Sequence, residues 1–387
     1  MGFESALKRA GVQAGDRIAI CLPHDERLPS LFFAIWELGA SVCPLNPKLP
    51  PLVLARYLER LAPSLCIDSF DSFPQAKRCQ GVSPDLLLFT SGSTGTPKIA
   101  ALSIENLMAS AKGSVDALDL RAGDEWLVQL PLYHIGGIAL LFRCLVARAK
   151  AVFGGTQITH LSAVPAQLYQ ATPVYPKLRC LLLGGAPVRS YPPQLPVYVT
   201  YGLTEMSSLV VARRHPPCID GRFYLGDPLP GRTVKLVGEE IFVGGPCLFQ
   251  GYWEGGVLTP APEWFPTGDL GHIHPQEGLT VLGRKDWQFI SGGENIQPEE
   301  IERELLNIPG VEEAAVFPWP DEQYGHRPVA VIQGKLELDV MQVALKDRLP
   351  KYKIPTRLLV LKTFPKNSLK INKKLIFEFV SNSLTVP

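Results

Sequence analysis

No stretch of this chain approaches the roughly 18 apolar residues that a membrane-spanning helix needs, so no span is expected. The opening Met1–Arg9 has no apolar run behind its basic residues, which argues against a secretion signal. Met1-Gly2 is followed by Ser5 but by no Ser or Thr at position six, which argues against an N-terminal acyl anchor. The eight cysteines (21, 43, 66, 79, 144, 180, 218 and 247) form no Cys-x-x-Cys pair. Without a secretion signal they do not read as a disulfide framework, and a reducing, cytoplasmic compartment is expected. Cys21, Cys66 and Cys180 sit in apolar runs and read as small core residues. The seven histidines lack metal-ligand spacing, and His272-x-His274 falls on an expected turn. Net charge is also missing: 38 Lys and Arg face 37 Asp and Glu, which leaves no electrostatic footprint for nucleic acid. There is no Gly-x-Ser-x-Gly elbow and no Walker spacing, so serine hydrolysis and P-loop nucleotide hydrolysis are disfavoured.

What is present is an ordinary globular composition over 387 residues, 46% apolar and 19% charged, enough for two or three domains. Short apolar strands alternate with amphipathic helices: strands at 17–21, 40–45 and 65–68, with helices at 28–38 and 52–61 between them. The rhythm returns with helices at 106–118 and 137–147 and a helix starting at 165. Strands are expected between them at 125–129 and 151–153, and after them at 179–183 and 197–200. Such alternation predicts a parallel sheet covered by helices. After about residue 222 the texture changes to short strands with Gly-rich turns, which predicts a small antiparallel subdomain. A polar, turn-rich segment at 285–300 then leads into a helix at 298–306 with acidic residues in its first turn. The expected division is therefore a large α/β domain, 1–284, and a small α+β domain, 285–387.

Several loop ends carry residues suited to phosphate and sugar oxygens. Leu86–Phe89 reads as a buried strand that runs into Thr90-Ser91-Gly92-Ser93-Thr94-Gly95-Thr96-Pro97-Lys98. Its hydroxyls and turned backbone N–H groups can converge on a polyphosphate, its glycines permit close approach, and Lys98 adds charge. A plain surface turn is the competing reading. Gly184-Gly185-Ala186 could admit a flat base against the backbone, or be a tight turn. In Tyr201-Gly202-Leu203-Thr204-Glu205, Thr204 can donate to phosphate and Glu205 can hold Mg²⁺, against an ordinary helix-cap neighbourhood. Asp269 and Arg284, each expected just after a strand, could take ribose hydroxyls or be a turn aspartate and a solvated arginine. His134 reads as a packed histidine or a ring lining a ligand channel. Lys362, Lys366, Lys370, Lys373 and Lys374 read first as a solvated basic face, with one lysine reaching a phosphate as the alternative.

Together these segments resemble the adenylate-forming superfamily, which joins carboxylic acids to coenzyme A or a carrier through an acyl-adenylate. Leu88–Lys98 looks like its phosphate loop and Tyr201–Glu205 like its Tyr-Gly-x-Thr-Glu motif. Thr267-Gly268-Asp269-Leu270 is similar to its ribose motif, and Gly283-Arg284-Lys285-Asp286 to its hinge. Pro365–Lys370 is similar to its catalytic-lysine segment. The resemblance implies the superfamily fold: a large domain of layered sheets and helices, shortened at its N-terminus, with a small mobile C-terminal domain. It implies ATP, Mg²⁺ and coenzyme A as ligands. By that mapping Lys370 acts in adenylation, Thr204 touches phosphate, Glu205 binds Mg²⁺, Asp269 and Arg284 fix the ribose, His134 borders the acyl site and Asp286 is the pivot. Leu369 stands where the family usually has glycine, and Lys373 where arginine is frequent.

Residues 131–144, 159–168 and 289–302 resemble the branch that acts on 2-succinylbenzoate in menaquinone biosynthesis. The implied product is its coenzyme A thioester, with AMP and pyrophosphate released. Other aryl- or fatty-acyl-CoA ligases, carrier-protein adenylating enzymes and a binding protein without activity are the rivals. The sequence leaves oligomeric state open, a homo-oligomer included, and does not name the group that holds the spare substrate carboxylate. Arg143 is the nearest cation to consider.

Overall fold

Strands Arg17–Ile20 and Ser41–Pro44 are buried at every position, the pattern of parallel strands covered on both faces. The computed structural model describes residues 2–77, 83–90, 97–168, 175–188, 190–291, 294–367 and 370–384, with backbone alone at 166, 295, 367, 370 and 382–384. By internal contacts it divides into two compact units. One holds residues 1–216, 225–235 and 242–265, and the other holds 217–224, 236–241 and 266–387.

The first unit is built on two sheets. The seven-stranded sheet runs in the order Val257–Pro260, Gly251–Glu254, Lys98–Leu102, Leu86–Thr90, Ser41–Pro44, Arg17–Ile20, Leu65–Ile67. Its last four strands are parallel, and the hairpin Leu86–Thr90/Lys98–Leu102 turns it antiparallel towards Val257–Pro260. The six-stranded sheet runs Ser208–Arg214, Val197–Leu203, Cys180–Leu183, His160–Ala163, Glu125–Leu127, Lys150–Val152. It is parallel except at the Ser208–Arg214 edge. One core joins helix Leu28–Glu37 to helix Ile135–Ala147 through Trp36 and Phe142, whose rings lie 5.4 Å apart.

Local chemistry sets the helix ends. Helix Ile104–Lys112 starts on a capping box: Ser103 accepts the Asn106 N–H, and the Asn106 side chain accepts the Ser103 N–H. It stops at Gly113, short of the expected 118; there the chain presses so closely against Pro230 that its carbonyl oxygen lies 2.0 Å from where a Cβ would stand. A strand at 249–252 is expected in a separate antiparallel subdomain; the strand observed there, Gly251–Glu254, instead pairs with Lys98–Leu102 in the large sheet.

In the second unit, Phe265–His274 and Gly278–Arg284 form an antiparallel ladder. His272 therefore lies in a strand rather than on a turn, and His274 closes it, its Nδ1 accepting the N–H groups of Gln276 and Glu277. Strands Val311–Asp321, Gly325–Gly334 and Arg357–Leu361 make a three-stranded sheet, covered by helix Pro298–Leu306 and helix Leu338–Lys346 around Ile301, Leu305 and Met341. Proline at the first turn and Glu299 and Glu300 behind it define the start of Pro298–Leu306.

Candidate active site

In the first unit, strand Val197–Leu203 carries Tyr201 and Gly202 to its end, and Thr204–Met206 turns off it as one 3-10 turn. The antiparallel neighbour comes so close that a Cβ on Gly202 would lie 2.0 Å from the Ser208 carbonyl oxygen. The return bend then runs through two non-glycine residues at positive φ, Ser207 at 52° and Ser208 at 102°. Such strain persists only where neighbours hold it. Here Ser110 donates to the Ser207 carbonyl at 2.7 Å, Arg232 to the Leu209 carbonyl at 2.8 Å, and Arg143 to the Ser208 hydroxyl at 3.1 Å. Arg143 also donates to Ser114 at 3.1 Å and is 1% exposed. Burial, with Arg232 nearby, draws its guanidinium down to about 9. It braces the bend from inside and is not available to a substrate carboxylate.

Glu205 projects beside the other sheet. Its Oε1 accepts the Tyr252 hydroxyl at 2.8 Å, and the Lys98 ammonium lies 4.7 Å from the centre of the Tyr252 ring. A phenol thus joins the acid of one motif to the cation of another, by hydrogen bond on one side and by ring attraction on the other. Strand register puts it there, since Tyr252 pairs with Ala100 two residues beyond Lys98. Sequence reasoning missed Tyr252, which belongs to no motif; its only signal is a place in an aromatic-rich strand. Lys98 itself opens a strand and is exposed, and Thr90 pairs with it across the hairpin. The expected phosphate-loop residues Ser91, Gly92, Ser93, Thr94 and Gly95 lie outside the described residues.

Gly184 ends strand Cys180–Leu183 against its neighbour, where a Cβ would meet the Thr200 hydroxyl at 2.1 Å. Thr200 uses that hydroxyl to donate to the Leu183 carbonyl at 3.1 Å. Gly185 follows at φ +74°, exposed, with Ala186 half-buried behind it. His134 precedes helix Ile135–Ala147 and is exposed, its ring 4.7 Å from that of Tyr133, so the packed reading does not hold.

The second unit holds the sugar-type pair. Asp269 and Arg284 do not follow strands as expected; they face each other across the Phe265–His274/Gly278–Arg284 ladder. Arg284 donates to Asp269 at 3.1 Å, to the Thr267 carbonyl at 2.9 Å and to Asp286 at 3.0 Å. Burial opposes its charge, but Asp269 and Asp286 outweigh that and hold its pKa above the ordinary arginine value. Thr267 receives the Asp269 N–H at 3.0 Å and donates to the Ile241 carbonyl at 2.8 Å, which fixes the Asp269 backbone.

The C-terminal lysines are not one solvated face. Lys366 pairs with Glu313 at 3.0 Å and Lys374 is exposed. Lys373 turns inward to Glu302 at 2.8 Å and Glu299 at 3.1 Å, because Glu302 is buried and needs a cation. Lys370 pairs with Asn367 in a two-stranded hairpin, and its side chain lies outside the described residues.

The family described as AMP-binding enzyme matches residues 3–85 and 69–253, and its C-terminal domain matches residues 300–370. A 2-succinylbenzoate–CoA ligase of Escherichia coli (strain K12) is 33% identical, over 96% of this chain and 89% of that protein. A protein of the same name from Salmonella typhimurium (strain LT2) is 32% identical over 96% of this chain and 88% of its own. Among solved structures, wild-type E. coli MenE with a bound phenylether-linked analogue of OSB-AMS superposes with a TM-score of 0.79 at 29% identity, covering 98% of this chain and 91% of that one. The o-succinylbenzoate CoA synthetase of Bacillus subtilis, in complex with the acyl-adenylate intermediate OSB-AMP, gives 0.82 at 27% identity, covering 97% and 90%.

Proposed function

This chain belongs to the AMP-binding enzyme family, and we propose that it ligates 2-succinylbenzoate to coenzyme A through an acyl-adenylate, at the expense of ATP. The observation that carries the reading is the Lys98–Tyr252–Glu205 relay, which sets a phosphate-type cation and a metal-type carboxylate on one phenol. The named relatives support the choice of acid.

In the first half-reaction a carboxylate oxygen of the acid attacks the α-phosphorus of ATP. The bond to the bridging oxygen breaks and its electron pair leaves with pyrophosphate. In the second, the coenzyme A sulfur attacks the adenylate carbonyl, AMP leaves with the electron pair of the C–O bond, and the thiol proton passes to solvent. Lys98 and Thr204 offset phosphate charge in this reading, Gly184–Ala186 and Tyr201 border the base, and Asp269 with Arg284 takes the ribose. His134 borders the acyl group.

Glu205 suits Mg²⁺. Among the described residues its carboxylate is bonded by Tyr252 alone, at Oε1, so Oε2 is left for a hard cation. Mg²⁺ ordinarily keeps several waters and takes one or two carboxylates alongside phosphate oxygens, so one protein carboxylate suffices in this reading. When bound, the ion supplies charge neutralisation at phosphate. No described helix is long and apolar enough to cross a membrane.

The direct test is mass spectrometry of a reaction containing 2-succinylbenzoate, ATP, Mg²⁺ and coenzyme A. The thioester is expected. Turnover of a benzoic or fatty acid in its place would overturn the substrate and leave the ligase class standing.

Asp286, in the 3-10 turn Lys285–Trp287, is the proposed pivot between a domain of residues 1–284 and one of residues 285–387. Asp286→Pro fixes φ near −65° and opposes rotation there. Adenylation and thioester formation, assayed separately, are expected to fall unequally. An equal loss in both would remove the pivot assignment.

A further inference from the structure

We propose that Lys373 is a positioning residue for adenylation, its clamp on Glu302 and Glu299 fixing the hairpin that presents Lys370. The proposal rests on the assignment of Lys370 to that half-reaction.

Lys373 opens helix Lys373–Leu384, just beyond the strand Lys370–Ile371. Its ammonium meets two carboxylates on helix Pro298–Leu306, Glu302 at 2.8 Å and Glu299 at 3.1 Å. Glu302 is 6% exposed and also accepts the Val316 N–H at 2.8 Å, so it is pinned to strand Val311–Asp321 and cannot follow a moving lysine. Burial lowers the pKa of Lys373, but the Glu302 and Glu299 carboxylates outweigh it and keep the ammonium charged.

The clamp reaches towards the hinge motif. Glu299 accepts at its other oxygen from Gln297, whose same nitrogen lies 3.1 Å from the Arg284 carbonyl. The packing is close enough that a Cβ on Gly283 would meet Gln297 at 2.5 Å and Glu299 at 2.7 Å. The Trp287 ring centre lies 5.8 Å from the Lys373 ammonium, and Trp287 packs against the cluster that contains Phe317, Phe364 and Ile376, alongside Ile371. On the other side the hairpin is closed by Lys366↔Ile371 pairing and by the Asn372 N–H on the Pro365 carbonyl at 2.8 Å. One cation thus ties the lysine hairpin to the segment that carries Arg284 and Asp286. Lys366 has only a surface partner and Lys374 is exposed, so neither can do this.

The test uses Lys373→Met, Lys373→Arg and Lys374→Ala in the full chain, with Lys370→Ala in parallel. Single-turnover adenylation of 2-succinylbenzoate and thioester formation from supplied 2-succinylbenzoyl-adenylate are measured separately. Lys373→Met is expected to slow adenylation by about tenfold to a hundredfold, the cost of a small misplacement, in kcat and not in KM. Thioester formation should stay within about twofold, and Lys373→Arg should restore most of the adenylation rate. Lys374→Ala should match wild type.

A merely structural role predicts something else: both half-reactions fall together with the melting temperature. The double variant Lys373→Met/Glu302→Leu, which exchanges the ion pair for apolar groups, would then recover adenylation as it recovers stability. That recovery, or normal adenylation by Lys373→Met beside a slow Lys370→Ala, overturns the proposal. Normal adenylation by Lys370→Ala overturns the reading on which it rests, and the proposal with it.

Discussion

Lys370→Ala is expected to cut adenylate formation by about a hundredfold or more, while thioester formation from supplied acyl-adenylate is largely spared. Net charge cannot be what distinguishes this lysine, because Lys362, Lys366, Lys373 and Lys374 share its sign. Position distinguishes it. Lys366 is engaged with Glu313 and Lys373 with Glu302 and Glu299, and Lys370 is the lysine that falls at the end of the segment Pro365–Lys370, its backbone paired with Asn367. A lysine is a compact charge on a long stem and can meet a phosphate from a loop without bidentate geometry. A contact made chiefly as charge builds on phosphoryl oxygens acts on the transition state more than on binding, so kcat should fall and KM should hold. The asymmetry between half-reactions follows if the lysine leaves the site with its domain before the thiol attacks. Single-turnover adenylation, followed by coenzyme A capture, reads both steps. Normal adenylation by this variant would show that Leu369, in place of the usual glycine, has shifted the register and that the family's lysine role does not sit here.

Gly202→Ala is expected to cost about 3 kcal/mol of stability and most of the adenylation rate of whatever remains folded. Its Cβ would stand 2.0 Å from the Ser208 carbonyl oxygen, 2.8 Å from the carbonyl carbon and 2.9 Å from the Leu209 Cα. All three are backbone atoms, so no side chain can swing aside. The strand and its return bend must separate, and that bend already holds Ser207 and Ser208 at positive φ under the grip of Arg143 and Arg232. Thr204 and Glu205 lie between the two parts that are forced apart. Gly154→Ala is the matched control, since nothing stands within 4 Å of its Cβ. Thermal unfolding and pyrophosphate release on both variants decide the matter. A Gly202→Ala protein with wild-type melting and turnover would mean that the close approach is not needed.

Much of the layered fold was legible where periodicity is strong and burial two-sided. The runs Ile18-Ala19-Ile20 and Leu181-Leu182-Leu183 can only be core strands in such a chain, and Pro298 followed by two glutamates marks a helix start. Strand Lys98–Leu102 was missed because a lysine, two alanines and a neighbouring Ser/Thr/Gly loop hide it; its reality comes from its partners on both sides. Phe265–His274 was hidden in the same way by Pro266, Gly268, Asp269 and Gly271. The site motifs were legible as residue types, but their company was not. Nothing local to Glu205 points to Tyr252, and nothing local to Lys373 points to Glu302, because each contact is made by sheet register or helix packing between distant segments.

The pairing of Tyr252 with Ala100 also determines where this chain can gain or lose residues. Side chains alternate between the two faces of a strand, so slipping a register by one residue exchanges the faces. Trp253, next to Tyr252, is buried in the core beside Ile99 and Leu87. A single insertion or deletion inside Lys98–Leu102 or Gly251–Glu254 would therefore turn the indole out towards Glu205 and drive the phenol into the interior. In the long stretch between those two strands, which carries the whole six-stranded sheet, the return bend at Thr204–Ser208 is held as tightly, but the other loops are under no such constraint. Length variation is tolerable there and intolerable within two short strands, although neither contributes more than one side chain to the relay.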